Sequence, residues 1–388
     1  MMQIKAADTG VTLMTRSNHG SAMRLFRQIG LTLEQRAELE PFWRSTWQVW
    51  RARRPAVIAL GGFLIGIVLL QLLVQVLLNL WNRNFFDALE RRDAHTLWVQ
   101  IQLFVPLAAG SIVLAATSVW GRMTAQRGWR EALTRHVIAK WMTNDRYLKL
   151  NSMMRGTENP EYRIAVDIRV STDAPVDLAL AFVSSLITAL TFFGVLWTVG
   201  GSIDIPLFGL TLTIPGYLVI GVILYSTLMS GLMTAVGHHL AGVIERLNQS
   251  EAELRAAADA FRGEQANQDN HHVNGEKRTE MSLKLQAVLL WWRELCWQLM
   301  RTTLISHGNS LSAPVVAWVL CVPKYLSGAM SLGELTQTAA AFVTVQSAFN
   351  WLVDNYQRLA DWRSSAHRVS TLVAALEDLE ANETTPQA

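Results

Sequence analysis

Cysteine is nearly absent from this chain: 388 residues contain two, Cys296 and Cys321. Their spacing matches neither a disulfide framework nor a metal site, which leaves them as packing thiols. No G-x-x-x-x-G-K-[ST] run occurs, so these residues contain no P-loop whose backbone N–H groups and lysine cradle a nucleotide phosphate. The first 36 residues have no apolar h-region, and no cleavable leader is expected there. Charge is missing in blocks. Asp, Glu, Lys and Arg are wholly absent from 56–80, 99–121, 178–203, 205–237, 302–323 and 335–353.

Those blocks set the class. A transmembrane helix needs about 20 apolar residues, and a charge at the bilayer centre costs about 2.5–3.5 kcal/mol on insertion scales. Lipid offers the backbone no hydrogen bonds, so each block reads as a helix. A composition that is 51% hydrophobic with 15 Trp agrees. The expected class is an all-α membrane protein with six long spans. Segments 1–54, 122–176, 245–301 and 358–388 carry 9, 10, 8 and 3 Lys/Arg, whereas the intervening segments carry four: Arg83, Arg91, Arg92 and Lys324. Thirty against four places both termini in the cytoplasm. The net charge of +3 therefore reports topology, and no nucleic acid partner is expected.

Helical patterning continues beyond the spans. In 127–142, Trp129, Leu133, Val137 and Trp141 recur at steps of four. Residues 250–262 are rich in helix formers, with Ser250 an N-cap candidate ahead of Glu253. Asn159-Pro160 breaks the chain into a turn, and 262–276 is a second, polar turn. In 41–54, Trp43, Trp47 and Trp50 share a face ahead of Arg51, Arg53 and Arg54, the pattern of a helix lying in the interface. The expected divisions are a tail over 1–36, this elbow helix over 37–54, a six-helix domain over 55–379 and a second tail over 380–388. No nucleotide-binding domain is expected.

Polar residues inside spans mark either interhelical hydrogen bonds or a lined pathway. Gln71, Gln75, Asn79 and Asn82 form one stripe, and Gln346, Asn350 and Asp354 another, continued by Gln357. Any proton-coupled cycle needs a group that changes charge. Asp354, Glu294 and His307 are placed for it by depth, with Asp87, Glu90 and Glu334 as acids at the other face. In 158–169, Asn159, Pro160, Arg163 and Asp167 hold a turn, with Arg163 and Asp167 spaced as an i,i+4 pair, or form a latch between two copies. Gly62 and Gly66 make a packing notch.

Five stretches in order carry a family resemblance: LNLWNRNFFDALERRD (78–93), GWREALTRHVIAKWMTNDRYLKL (128–150), ENPEYRIAVDI (158–168), IPGYLVIGVILYSTLMSGLMTAVG (214–237) and 323–369. The chain resembles the SbmA/BacA-type peptide transporters and the membrane domain of YddA-like and peroxisomal-type ABC half-transporters. Glu161 and Tyr162 depart from the family's Asp and Gln. The resemblance implies an ABC exporter-type fold, a homodimer with swapped helices and a central cavity. It also implies proton-driven uptake of peptides or similar bulky polar compounds at the bacterial inner membrane, without enzymatic activity or cofactor. In ATPase-bearing relatives the second turn is an apolar coupling helix, whereas here 262–276 is polar. A permease subunit served by a separate ABC ATPase, and an inactive membrane scaffold, are the alternatives.

Overall fold

The computed structural model describes residues 38–153, 159–207, 210–265 and 271–384. Short helix α1 (Glu40–Ala52) is followed by α2 (Arg54–Glu90), α3 (Ala94–Met142) and α4 (Arg146–Met153). Next come α5 (Pro160–Gly200), an antiparallel hairpin of β1 (Ser202–Leu207) and β2 (Leu210–Pro215), α6 (Tyr217–Gln265), α7 (His271–Leu326) and α8 (Leu332–Thr384). At about 1.5 Å per residue, the 49 residues of α3 reach more than twice the roughly 30 Å hydrocarbon thickness, so the long helices do continue past a bilayer.

Among the described residues, five helices, α2, α3, α5, α6 and α7, are long and apolar enough to cross a membrane. The sixth expected span lies in α8, which is long but falls short in hydropathy. Its charge-free stretch is interrupted by Gln337, Thr338, Gln346 and Asn350. A second expectation is corrected at 205–237. An uncharged run does not by itself distinguish strand from helix, and here its first third pairs as a hairpin with Ser202 opposite Pro215 and Leu207 opposite Leu210. The Thr-Leu-Thr-Ile alternation over 211–214 favours the strand, and Pro206 and Pro215 disfavour a helix. Gly201 and Gly216, both at positive φ (59° and 61°), close the hairpin through a Gly216 N–H to Gly201 O bond of 2.9 Å. The span therefore starts at Tyr217.

The described residues divide into two compact units. One comprises the described residues within 38–62, 121–177 and 358–384. Its core packs Phe42 with Trp129, Leu133, Val137, Leu150 and Ile168, and with Leu372 and Leu376 of α8. The step-of-four stripe thus faces inward. Trp50 turns in against Trp129 with ring centroids 5.0 Å apart, while Trp43 and Trp47 stay exposed. At the end of α8, Arg146, Lys149 and Asn144 donate to Glu383 and hold its carboxyl at about 2.

The other unit comprises the described residues within 63–120 and 178–357. Its core joins Phe192 and Leu196 of α5, Leu218 and Val222 of α6, Ala317 of α7 and Phe342 of α8. Cys321 is buried there, as a packing thiol should be, but Cys296 is exposed. No side chain approaches the Gly62–Gly66 notch from the described residues.

The start of α8 shows how this unit is held. Ser331 and Glu334 form a reciprocal capping box: the Glu334 N–H donates to Ser331 Oγ (3.1 Å) and the Ser331 N–H to Glu334 Oε2 (3.1 Å). Two acids of α2 take the neighbouring donors. Leu332 N–H reaches Glu90 Oε2 and Gly333 N–H reaches Asp87 Oδ1, each at 2.9 Å. Arg83 completes the clasp at 2.7 Å from Glu334. Carboxylates at a helix N-terminus are worth about 0.3–1 kcal/mol each. A Cβ on Gly333 would collide with the Arg83 carbonyl and the Asp87 carboxylate, whereas one on Gly194 meets nothing within 4 Å. Gly333→Ala is expected to cost about 1–3 kcal/mol, read as a melting temperature several degrees lower in detergent, with Gly194→Ala close to wild type.

Candidate functional site

The polar residues of α8 run from buried to open along the helix. Gln337, Thr338 and Gln346 are buried at 2%, 0% and 3% exposure, Asn350 is half-buried, and Asp354 is exposed. Facing them on α2 is Asn79, 6% exposed, whose Nδ2 donates to the Gln337 carbonyl at 3.1 Å. Asn79 Oδ1, Gln337 Oε1 and Gln346 Nε2 have no protein partner among the described residues. Gln71 donates to the Leu114 carbonyl of α3 at 3.4 Å, and Gln75 is exposed. The α2 stripe therefore supplies interhelical bonds at Gln71 and Asn79 and leaves Gln75 open.

The three proton-coupling candidates lie apart. Glu294 and His307 are both on α7, 13 residues or roughly 20 Å of helix from each other, and Asp354 is on α8. All three are exposed on this chain, and none makes a hydrogen bond or ion pair among the described residues. Near His307, Tyr225 of α6 donates to Asn309 Oδ1 (2.9 Å) and shares a 2.7 Å bond with Ser312 Oγ. Glu294 lines a groove of about 710 Å³ between α6 and α7, together with His238, Arg246, Trp291, Arg293 and Arg301. The acids Asp87, Glu90 and Glu334 are engaged in the capping clasp.

One turn beyond Asp354, Arg358 enters a second cluster. Asp177 of α5 accepts from Arg358 Nη2 (3.0 Å), Arg122 Nη1 (3.2 Å) and Gln126 Nε2 (2.9 Å), tying α3, α5 and α8 at one carboxylate. Arg122 and Asp177 are the charges that border the uncharged windows 99–121 and 178–203. That position was the available sign that they meet at one level.

The charged strip after Asn159 is built into the start of α5. Pro160 opens α5 at the first helical position, with Asn159 extended before it (φ −77°, ψ 100°), and residues 154–158 lie outside the described residues. Arg163–Asp167 form one π-helical turn. Arg163 and Asp167 are buried, at 6% and 1% exposure. Arg163 Nη1 donates to the Arg368 carbonyl (3.1 Å) and Thr371 Oγ1 (2.7 Å). Asp167 accepts a two-pronged bond from Arg368 Nε (2.8 Å) and Nη2 (2.6 Å). These partners belong to α8 of the same chain. The partner that sequence reasoning missed, Arg368, carried no local sign because it lies 201 residues from Asp167.

Arg368 is partly exposed, so the bond is worth less than a fully buried pair. A charged hydrogen bond lost from a buried group still costs about 1.5–3 kcal/mol. Asp167→Asn and Arg368→Lys should each destabilise the folded protein in thermal unfolding, since lysine does not reproduce the fork. The double variant should cost less than the sum of the two.

Comparison with known proteins agrees with this architecture. A model of the SbmA/BacA-like family matches residues 44–377. The inner membrane ABC transporter ATP-binding protein YddA of Escherichia coli (strain K12) is 26% identical over 326 residues, 83% of this chain and 57% of that protein. An ABC transporter ATP-binding protein of Synechocystis is 23% identical over 84% of this chain and 49% of its own length. The chloroplastic ABC transporter D family member 2 of Arabidopsis thaliana is 21% identical over 90% of this chain and 48% of its own length. The chain spans about half the length of these curated relatives. With a family match across most of its residues, on an all-α framework carrying five apolar membrane-length helices, the chain belongs to the SbmA/BacA-like family.

Proposed function

We propose that the protein is an inner-membrane transporter, with both termini in the cytoplasm, that works as a homodimer and takes up peptides or similar bulky polar compounds on the proton gradient. The observation that carries the reading is Asp354. It is an exposed acid with no ion pair among the described residues, it follows the charge-free stretch of α8, and it extends the Gln346–Asn350 polar face. Such a carboxyl binds a proton more readily when it is desolvated and releases it when water returns. Glu294 and His307 stand behind it as further carriers. Moving one charge through 100 mV is worth about 2.3 kcal/mol, and a tenfold proton gradient adds about 1.4 kcal/mol. One proton per cycle thus supports accumulation of a neutral solute by a few hundred-fold.

A second reading, the permease partner of a separately encoded ABC ATPase, draws on the relatives named as ABC transporter ATP-binding proteins. Against it stands the polar composition of 262–276 where an apolar coupling helix is expected. Reconstitution separates the two. Liposomes holding the purified protein should accumulate a labelled peptide under an imposed proton gradient, and a protonophore should abolish this. Asp354→Asn should remove gradient-driven uptake by tenfold or more while leaving peptide binding in detergent near wild type. Uptake that ignores the gradient and requires an added ATPase with ATP would establish the permease reading. Uptake under neither condition would favour a scaffold.

A further inference from the structure

The elbow between α1 and α2 holds a groove of about 410 Å³, within the size range of ligand sites. Trp47, Trp50, Arg51, Arg54, Val57 and Ile58 line it. Four of these follow one another along one side of the chain, with Trp47, Arg51, Arg54 and Ile58 at steps of four, three and four. The elbow itself is a single turn. Arg53 leaves helical geometry (φ −116°, ψ 26°), and its N–H donates to the Trp50 carbonyl at 3.2 Å. Arg51 and Arg54 are three peptide units apart, which is at most roughly 11 Å between Cα atoms and less across a turn. Trp50 is held from behind by Trp129, with ring centroids 5.0 Å apart, while Trp47 stands 63% exposed.

Depth and charge together narrow the ligand. The uncharged window 56–80 starts two residues after Arg54. Val57 and Ile58 are thus the part of the wall that enters the hydrocarbon, and both arginines stand at headgroup level beside Trp47, a ring suited to the interface. The groove is cationic with no acid to balance it. No Asp or Glu occurs from 41 to 86, and the side chains of Arg51, Arg53 and Arg54 have no ion pair or hydrogen bond among the described residues. Arg44, on the same helix as Arg51, is by contrast held by Glu40 and Glu377. An unpaired planar guanidinium matches two oxygens of a phosphate.

We infer that this elbow groove binds the phosphate of an anionic phospholipid, with Arg51 and Arg54 on the phosphate and with Val57 and Ile58 against the first methylenes of an acyl chain. A zwitterionic lipid would bring its own cation to a groove that has no acid. A soluble phosphate ester offers the same oxygens but no chain to lay on the apolar wall. Diffuse attraction to an anionic membrane would draw on Arg51, Arg53 and Arg54 alike, whereas the groove uses two of them: Arg53 lies between them in sequence and outside the lining. The inference stands independently of what the protein transports.

Native mass spectrometry of the purified full chain tests it by counting retained phosphatidylglycerol against phosphatidylcholine. Wild type should retain the anionic lipid in preference. Arg51→Gln and Arg54→Gln should each lower that preference about tenfold, the loss of a charge-assisted contact, whereas Arg53→Gln should stay within about twofold of wild type. All three side chains are exposed, so the substitutions leave the core untouched. A photoactivatable phosphatidylglycerol should cross-link wild-type protein at peptides containing 47–58, a readout that needs no variant. Equal losses at all three arginines would reduce the binding to surface charge and overturn the site. Unchanged preference in Arg51→Gln and Arg54→Gln, or cross-links confined to other helices, would overturn it as well. Displacement of the lipid by inorganic phosphate, with the same arginine dependence, would overturn the lipid assignment in favour of a soluble anion.

Discussion

The carboxylate of Asp167 is 1% exposed, and a charge so placed is tolerable only because Arg368 meets it with two parallel hydrogen bonds. That interaction fixes α8 against α5 below the membrane-length stretch. The helix needs such fixing, because α8 is the long helix whose own apolarity does not secure it in lipid. Its two ends are held by charge instead. At its start Glu90, Asp87 and its own Glu334 accept its first backbone donors. Towards its end Arg358, Arg368 and Glu383 join Asp177, Asp167 and Arg146. Between these anchors the helix carries polar residues that a freely inserted span would avoid.

Paired and unpaired charges are distributed unevenly over the described residues. The acids that fasten helices all have partners. Asp354, Glu294 and His307 have none among the described residues, and Arg51 and Arg54 of the elbow groove are likewise unpaired. A group committed to an ion pair is poorly suited to exchanging a proton or a ligand, whereas an unpaired one at the edge of a membrane span is available for either. Asn79, Gln337 and Gln346 hold a middle position, buried with part of their hydrogen-bonding capacity unused by protein.

The class of fold was legible because the lipid environment constrains composition directly: uncharged windows located five of the apolar helices, and the stripe through Trp129, Leu133 and Val137 named part of a core. What escaped was whatever depended on partners distant in sequence or on a choice between two apolar conformations. After Asp204 the hairpin is as free of charge as a span, and its alternation, prolines and flanking glycines set it apart. The interlock of Asp167 with Arg368 depends on packing between elements 201 residues apart, which the i,i+4 spacing from Arg163 does not report. The candidate site was legible as residue types on α2 and α8, but not in its order of burial. Which face of α8 is covered follows from neighbours such as Asn79 and Phe192.

The central claim is that the face of α8 through Asn350 and Asp354 meets water within the membrane, while the face through Ala341 and Val345 is sealed in protein. Substituted-cysteine labelling in a background with Cys296 and Cys321 replaced by serine tests this directly. A small, water-soluble thiol reagent should modify Cys at 350 and 354 and leave Cys at 341 and 345 unmodified in folded protein in membranes. Protection of 350 and 354 together with modification of 341 or 345 would contradict the account.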